Sequence, residues 1–270
     1  MEIESAKVIS NTPLTAAYRL LILEAPRIAP QVRPGQFVQV RVPQLDAAVL
    51  RRPFSVFKTE GARLTLLYKS VGQGTRSMAR LQADDNLNLL GPLGNGFPPI
   101  NPESYPLLVA GGYGIAALYL LAQSAPRQGV IFMGGSCAKN ILCLQDFAQI
   151  GWPIRIATED GSQGEKGLVT EVLKAWLQQQ SEQRALEFFA CGPMPMLRAV
   201  AQLAQSGGWR AWLSLDRHQG CGVGACLACV QKIKKPDAAP PQPADWQWAR
   251  TCIEGPVFES REIIWDDNEP

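Results

Sequence analysis

The chain has 270 residues, of which 46% are hydrophobic and 19% are charged, and its formal net charge is +2. This is an ordinary globular composition, and so small a net charge indicates neither nucleic-acid binding nor attachment to a membrane surface. The segment 105–123 is uncharged, but three glycines in its middle favour a strand, a turn and a helix over a membrane span. Acidic residues stand where a secretory signal would be basic. We therefore expect a cytoplasmic protein without membrane insertion.

The first hundred residues predict β-structure. Runs of alternating character, such as 36–42 and 64–68, are short and are interrupted by Gly, Pro and Asp. Many short strands with close turns are typical of a small antiparallel barrel. We therefore expect an antiparallel β-barrel domain over residues 1–100.

From Pro106 onward the pattern changes, and short apolar runs alternate with stretches of helical spacing. Such alternation is typical of a doubly wound parallel α/β sheet. We assign this sheet to residues 101–212, so that the whole chain is a multidomain α+β protein. The predicted helices cover 115–123, 144–150, 169–179 and 194–204.

After Trp209 the regular pattern breaks down, and four of the seven cysteines lie in the last fifty residues. An odd number of cysteines in a chain without a secretory signal does not look like a disulfide framework. In a reducing compartment such a cluster more often binds metal. We expect a small metal-binding domain over residues 213–270, with an exposed Pro-rich loop at 235–243 and a frayed tail at 266–270.

The strongest motif is the run Cys221, Cys226 and Cys229, followed at a distance by Cys252. This spacing matches C-x4-C-x2-C with a distant fourth cysteine, the pattern that binds a plant-type 2Fe-2S cluster. Two glycines between the first two cysteines allow the loop to curl around the sulfurs. A zinc site and a set of buried free thiols stay open as alternatives, although zinc ligands usually come in close pairs. The other three cysteines are expected to be core or loop thiols.

The segment Arg52-Pro53-Phe54-Ser55 resembles the ferredoxin reductase-like flavoproteins, in which an Arg-x-aromatic-Ser segment on the barrel holds FAD. The resemblance implies that Arg52 faces the pyrophosphate, for which a guanidinium is suited. It implies that Phe54 packs against the isoalloxazine and that Ser55 bonds near flavin N5. Taken in isolation, the segment favours a strand start with surface arginines. The expected FAD-binding residues are Arg52, Pro53, Phe54, Ser55, Leu67, Tyr68, Lys69, Gly74 and Thr75.

A second glycine motif, at 111–114, stands between a predicted strand and a helix, where a pyrophosphate can bind. It departs from the dehydrogenase pattern G-x-G-x-x-G and resembles the Gly-Gly-x-Gly-Ile-Ala of reductase-type nicotinamide domains, with Ala117 where that family has Pro. The Cys-Gly-Pro at 191–193 resembles the family's second mark. The expected NAD-binding residues are Gly111, Gly112, Gly114, Glu159, Asp160, Cys191, Gly192 and Pro193.

Two of these positions bear on the choice of nucleotide. The resemblance places the adenosine ribose near Glu159 and Asp160, whose charges would repel a 2′-phosphate and could accept hydrogen bonds from a 2′-hydroxyl. This predicts a preference for NADH over NADPH. Both residues could instead be simple turn acids.

The order of flavin barrel, nicotinamide domain and cysteine loop resembles the electron-transfer subunits of class 1B dihydroorotate dehydrogenase. Further marks of that family are the segments 91–97, 158–167 and 252–258. One departure is the 22 residues between Cys229 and Cys252, a longer gap than the family pattern.

The resemblance implies FAD, a 2Fe-2S cluster and NAD(H), with no catalytic side chain in this chain. It also implies an FMN-containing partner that oxidises dihydroorotate in pyrimidine biosynthesis, in a heterotetramer with two copies of each subunit. No nucleic-acid partner is expected. Two alternatives are an NAD(P)H reductase subunit of a sulfhydrogenase or ferredoxin:NADP oxidoreductase, and a zinc-stabilised binding module without catalytic function.

Overall fold

The computed structural model describes residues 1–43, 49–180, 184–235 and 245–265. The N-terminal strands are β1 (Glu2–Pro13), β2 (Tyr18–Glu24), β3 (Phe37–Val40), β4 (Arg52–Glu60), β5 (Arg63–Lys69) and β6 (Asn86–Leu93). They pair antiparallel into a closed barrel in the order β1-β2-β5-β4-β3-β6. A 3-10 turn (Ala29–Gln31) and one short helix, α1 (Gln73–Met78), lie between the strands.

Burial alternates along the first two barrel strands, as at Ala6 and Val8 of β1 and at Leu21 and Leu23 of β2. β3 differs, because all four of its residues are buried. Val38 and Val40 belong to the barrel core, whereas Phe37 packs with cysteines from the end of the chain. The cysteine-rich segment therefore covers this side of the barrel.

The second half of the chain builds a seven-stranded sheet. The strands that follow the barrel are β7 (Tyr105–Gly111), β8 (Val130–Gly135), β9 (Ile154–Thr158), β10 (Glu165–Lys166), β11 (Leu186–Cys191), β12 (Arg210–Ser214), β13 (Val230–Lys234), β14 (Trp246–Arg250) and β15 (Val257–Glu259). The sheet has the order β10-β9-β8-β7-β11-β12-β15, and only β15 runs antiparallel to its neighbour. β13 and β14 form a separate hairpin.

The helices lie close to the predicted positions, as α2 (Tyr119–Gln123), α3 (Leu144–Gln149), α4 (Val169–Gln178) and α5 (Met194–Ser206). The expected helix over 115–123 differs in its first half. Gly112–Leu118 is a 3-10 helix whose first residue, Gly112, has φ +53°, and the α-helix begins only at Tyr119. The described part of the chain has no helix that is long and apolar enough to cross a bilayer.

The pattern after Trp209 also differs from the expectation, because Arg210–Ser214 forms β12 beside β11. Five residues are too few to show a clear period, so the sequence did not reveal this strand. β12 spans the expected boundary at 212/213, and β15 returns from the cysteine-rich segment to pair with it. The Pro-rich loop, apart from Lys235, and the tail at 266–270 lie outside the described residues, and the division into three domains stays a prediction.

Candidate cofactor-binding sites

A cavity of about 840 Å³ lies where the barrel meets the sheet. Its volume is in the range of cofactor-binding pockets, and most of its lining is apolar. All but two of the residues assigned to FAD and NAD line it. Those that do are Arg52, Pro53, Phe54, Ser55, Leu67, Tyr68, Lys69, Thr75, Gly111, Gly112, Gly114, Glu159, Cys191, Gly192 and Pro193.

The barrel side of the cavity is formed by β4 and β5. Phe54 and Tyr68 meet edge to face, with ring centroids 5.9 Å apart, and both rings form part of the apolar lining. Gly74 is not part of the lining, although a Cβ placed there would lie 3.8 Å from Arg52 Nε. The Thr75 hydroxyl accepts hydrogen bonds from the N–H groups of Val71 and Gly72 at 2.9 and 3.1 Å. That hydroxyl is therefore already engaged in its own turn.

The sheet side of the cavity lies at a topological switch point. From β7 the strand order leads to β8 on one side and to β11 on the other, and such a point is where open α/β sheets bind ligands. The two glycine motifs meet here. A Cβ on Gly114 would lie 2.2 Å from the Cys191 carbonyl oxygen, and one on Gly111 would lie 2.5 Å from Pro193 Cδ. Only glycine permits these loops to approach so closely.

The N-terminus of α5 also borders the cavity, through Met194, Pro195 and Met196. The free N–H groups and the dipole of such a helix end favour a phosphate. Cys191 is buried next to it, and burial raises the pKa of this thiol to about 12, so it stays protonated at neutral pH. These residues can bind and orient a dinucleotide without supplying acid or base.

The two acids expected at the ribose are placed differently. Glu159 lines the cavity. Asp160 does not, because its carboxylate accepts hydrogen bonds from the N–H and hydroxyl of Ser162 at 2.9 and 2.6 Å. These bonds hold the pKa of Asp160 below its usual value, which is the behaviour of a turn acid.

Sequence reasoning missed several polar groups around the cavity. The Tyr113 hydroxyl donates to Asp216 at 3.1 Å, and Asn140 donates to the Tyr18 hydroxyl at 3.2 Å. Tyr113 occupies the variable position of its glycine motif, and Asp216 lies about a hundred residues further along the chain. No local pattern pairs them, so the sequence carries no signal for this contact.

The cysteine loop directs its backbone toward its own sulfur atoms. Cys221 Sγ accepts hydrogen bonds from the N–H groups of Val223, Ala225 and Cys226 at 3.3 to 3.4 Å. Burial opposes ionisation of this thiol, but the N–H donors outweigh it and lower the pKa of Cys221 to about 6. Such donors also stabilise metal-bound thiolates. Gly222 and Gly224 adopt φ of +71° and +79°, and these turns make the curl possible.

The four cysteines of the motif come together as two pairs, which are Cys221 with Cys226 and Cys229 with Cys252. The first pair is partly or fully exposed, whereas the second is buried. Burial and then the neighbouring Cys229 raise the pKa of the Cys252 thiol to about 12. Among the described residues, no three His, Cys, Asp or Glu side chains lie close enough to hold one metal ion.

The two pairs fit a two-iron core, which takes four thiolates, two on each iron. Within the part of the chain that the structure describes, two buried polar atoms near this site, Gln39 Oε1 and Thr251 Oγ1, have no hydrogen-bond partner. Thr251 directly precedes Cys252, and Gln39 touches the loop at Gly222.

The comparisons with known proteins agree with this geometry. Residues 216–264 match the model of the iron-sulfur cluster binding domain of dihydroorotate dehydrogenase B. The electron transfer subunit of dihydroorotate dehydrogenase B from Geobacillus sp. (strain WCH70) is 34% identical over 98% of this chain and 99% of its own length. The chain belongs to this family of electron transfer subunits. The Geobacillus kaustophilus (strain HTA426) subunit is 36% identical, over 95% of this chain and 100% of its own length.

Solved structures agree on the fold. The structure of an NADH-dependent reduced ferredoxin-NADP oxidoreductase superimposes with a TM-score of 0.81 at 26% identity, over 97% of this chain and 90% of its own. The ferredoxin reductase of carbazole 1,9a-dioxygenase superimposes with a TM-score of 0.63 at 20% identity, over 77% and 66%. The predicted family and fold class are thus confirmed, and FAD, a 2Fe-2S cluster and NAD(H) fit the family model and the fold.

Proposed function

We propose that this chain is the electron-transfer subunit of a dihydroorotate dehydrogenase complex in pyrimidine biosynthesis. It connects an FMN-containing subunit, which oxidises dihydroorotate, to NAD. The observation that carries the proposal is that one cavity at the switch point of the sheet shares a wall with the paired cysteines, since Phe37 both lines the cavity and packs against Cys229 and Cys252.

The residues of the cavity bind and orient rather than react. Bound FAD exchanges hydride with NAD(H) and single electrons with an iron–sulfur cluster. Arg52 supplies a fixed positive charge for the pyrophosphate of FAD, while Phe54 and Tyr68 form an apolar wall for the ring system. The close glycine loops after β7 and β11 let the nicotinamide nucleotide approach the same space. Cys221, Cys226, Cys229 and Cys252 hold the cluster.

The exposed face of the cysteine loop is suited to the partner subunit. Cys226 is exposed, and three exposed apolar side chains belong to the same loop region, namely Val223, Leu227 and Ile253. An exposed apolar patch next to an electron carrier favours docking of another protein. The heterotetramer with two copies of each subunit and the cytoplasmic location are parts of this proposal.

A second candidate is the corresponding subunit of a ferredoxin-NADP oxidoreductase. The similarity of that solved structure over 97% of this chain supports it. The higher identity of the dihydroorotate dehydrogenase relatives, 34% and 36%, favours the first candidate.

The test is purification of the tagged chain from its native cells under anaerobic conditions. The expected result is a brown complex that contains FAD, FMN and a reducible iron–sulfur EPR signal, and that reduces NAD⁺ with dihydroorotate. A complex that lacks the FMN subunit and is inactive with dihydroorotate, but exchanges electrons between ferredoxin and NADP, would establish the second candidate. A colourless protein without an EPR signal after reduction would refute both.

A further inference from the structure

One strand of the barrel separates the flavin cavity from the cysteines. β3 pairs with the flavin segment of β4, with Phe37 opposite Ser55 and Gln39 opposite Pro53. Because side chains alternate along a strand, Phe37 and Gln39 share the face that points away from the barrel core. Such a face is commonly solvated, yet these two residues are only 4% and 0% exposed. The cysteine-rich segment is what covers them.

Phe37 contacts both candidate sites. It lines the cavity and belongs to a small apolar group with Leu90, Leu93, Cys229 and Cys252, separate from the two large cores. The buried pair, Cys229 and Cys252, therefore faces the flavin cavity. The other pair, Cys221 and Cys226, lies on the side toward solvent.

The glutamine Gln39 is unusual at this buried contact between β3 and the cysteine loop. Its Nε2 donates to Gln219 Oε1 at 3.0 Å, but its Oε1 is buried without a partner among the described residues. A Cβ on Gly222 would lie 2.6 Å from Gln39 Cγ, so the backbone of the cysteine loop rests directly on this side chain. A purely structural contact would be more stable with an apolar residue, because an unpaired buried acceptor is costly.

We infer that Gln39 is a positioning residue for electron transfer between FAD and the cluster. Its amide holds the cysteine loop at Gly222 against β3, and Phe37 fills the space between the two sites. The inference rests on the proposed function. One electron crosses this contact at a time, from the reduced flavin to the oxidised cluster or back, and Gln39 itself changes neither charge nor bonding.

The first test uses the full chain loaded with FAD and cluster, mixed anaerobically with NADH in a stopped-flow spectrometer. In Gln39→Leu, NADH should reduce the flavin at the wild-type rate, while reduction of the cluster, followed at its own absorbance and by freeze-quench EPR, should slow about tenfold because the loop is misplaced. The control is Gln31→Leu, the same substitution at an exposed barrel residue whose amide bonds Glu2 and Arg27. Both rates should be unchanged there.

The second test is Gln39→Glu, which keeps the contact because the Gln219 amide can turn and donate to the carboxylate. A cluster-loaded Gln39→Glu should therefore transfer electrons at close to the wild-type rate, a rescue that separates loss of the contact from a general loss of stability. An unchanged transfer rate in a cluster-loaded Gln39→Leu, or a rate in Gln39→Glu as slow as that of Gln39→Leu, would overturn the inference. If Gln39→Leu assembles no cluster, the transfer rate of Gln39→Met, which keeps the length of the side chain and removes its amide, decides. Failure of the wild-type chain to reduce FAD with NADH would instead refute the proposed function.

Discussion

Arg250 and Glu254 form a two-point ion pair at the base of the cysteine loop. Arg250 Nε donates to both carboxylate oxygens of Glu254, at 3.2 and 3.1 Å, and the carboxylate also accepts the Arg250 backbone N–H at 2.6 Å. Arg250 Nη1 donates to the Gly224 carbonyl oxygen at 3.3 Å. Hydrogen bonding and charge from Glu254, and then the nearby Cys252 and Cys229, raise the pKa of Arg250. The pair therefore holds one positive and one negative charge beside the cysteines.

These two charges should shift the cluster in opposite directions. Reduction makes the cluster more negative, so a nearby cation favours the reduced form and a nearby anion disfavours it. We expect Arg250→Gln to lower the midpoint potential and Glu254→Gln to raise it. Both shifts should be modest and should shrink at high salt, because both side chains are partly exposed. An EPR redox titration of each purified variant measures them.

Arg261→Gln is the matched control, because it removes the same charge from a pair with Glu259 on β15. Its potential should equal that of the wild type. Shifts of the same sign in Arg250→Gln and Glu254→Gln would show that the pair acts only by shaping the loop, and would contradict the electrostatic argument.

The cluster and the flavin should be separable by a single substitution. Cys226 is exposed on the loop and is not among the residues that line the flavin cavity. Cys226→Ser should therefore abolish the visible and EPR signals of the cluster while FAD stays bound at one per chain. Cys137→Ser is the control, because this thiol lies outside the cysteine loop and donates to Asn140 Oδ1, a bond that a serine hydroxyl can keep, and the variant should keep both cofactors. Loss of FAD in Cys226→Ser would show that the two sites fold together.

Much of this architecture could be predicted from the sequence, because its signals are local. The spacing from Cys221 to Cys229 and the glycine motifs at 111–114 and 191–193 occupy single turns, and the structure places each beside a candidate site. Alternating strands and helices predicted the parallel sheet for the same reason.

The features that escaped prediction depend on pairs distant in the chain. Residues 36–42 showed a strand, but not that Gln219 and Gly222 would cover its outer face. β12 looked like an irregular segment, because its place depends on β11 and on β15, which begins more than forty residues later. Asp160 looked equivalent to Glu159 until the structure paired it with Ser162.

That difference between the two acids predicts which of them selects the nucleotide. Glu159 lines the cavity, whereas Asp160 is held in its own turn. Glu159→Gln should therefore raise the ratio of kcat/KM for NADPH to that for NADH by about fivefold, since like-charge repulsion at an exposed site is of the order of 1 kcal/mol. Asp160→Asn, the matched variant, should change this ratio much less. Steady-state dye reduction with both nucleotides measures it, and a larger effect at Asp160 would reverse the assignment.

The barrel and the sheet are joined by an ion pair whose contribution should depend on pH. Lys58 of β4 donates to Asp146 of α3, and its ammonium lies 4.4 Å from the centre of the Tyr119 ring. Burial disfavours the ammonium, but the hydrogen bond and charge of Asp146 outweigh it, so the pKa of Lys58 is raised above 10.5. A raised lysine pKa contributes stability that is fully present below pH 10.5 and is lost as the pH rises through the folded-state pKa.

We therefore expect Lys58→Met to lower the free energy of unfolding by about 2 kcal/mol at neutral pH, the typical loss for a hydrogen bond to a charged group. The difference from the wild type should narrow as the pH rises above 10.5. Asp146→Asn should destabilise to a similar extent, because it leaves the half-buried ammonium without its counter-charge. The double variant should lose less than the sum of the two. Guanidinium unfolding across this pH range measures all three, and a difference that does not change with pH would assign the loss to packing on Tyr119 instead of to the charge.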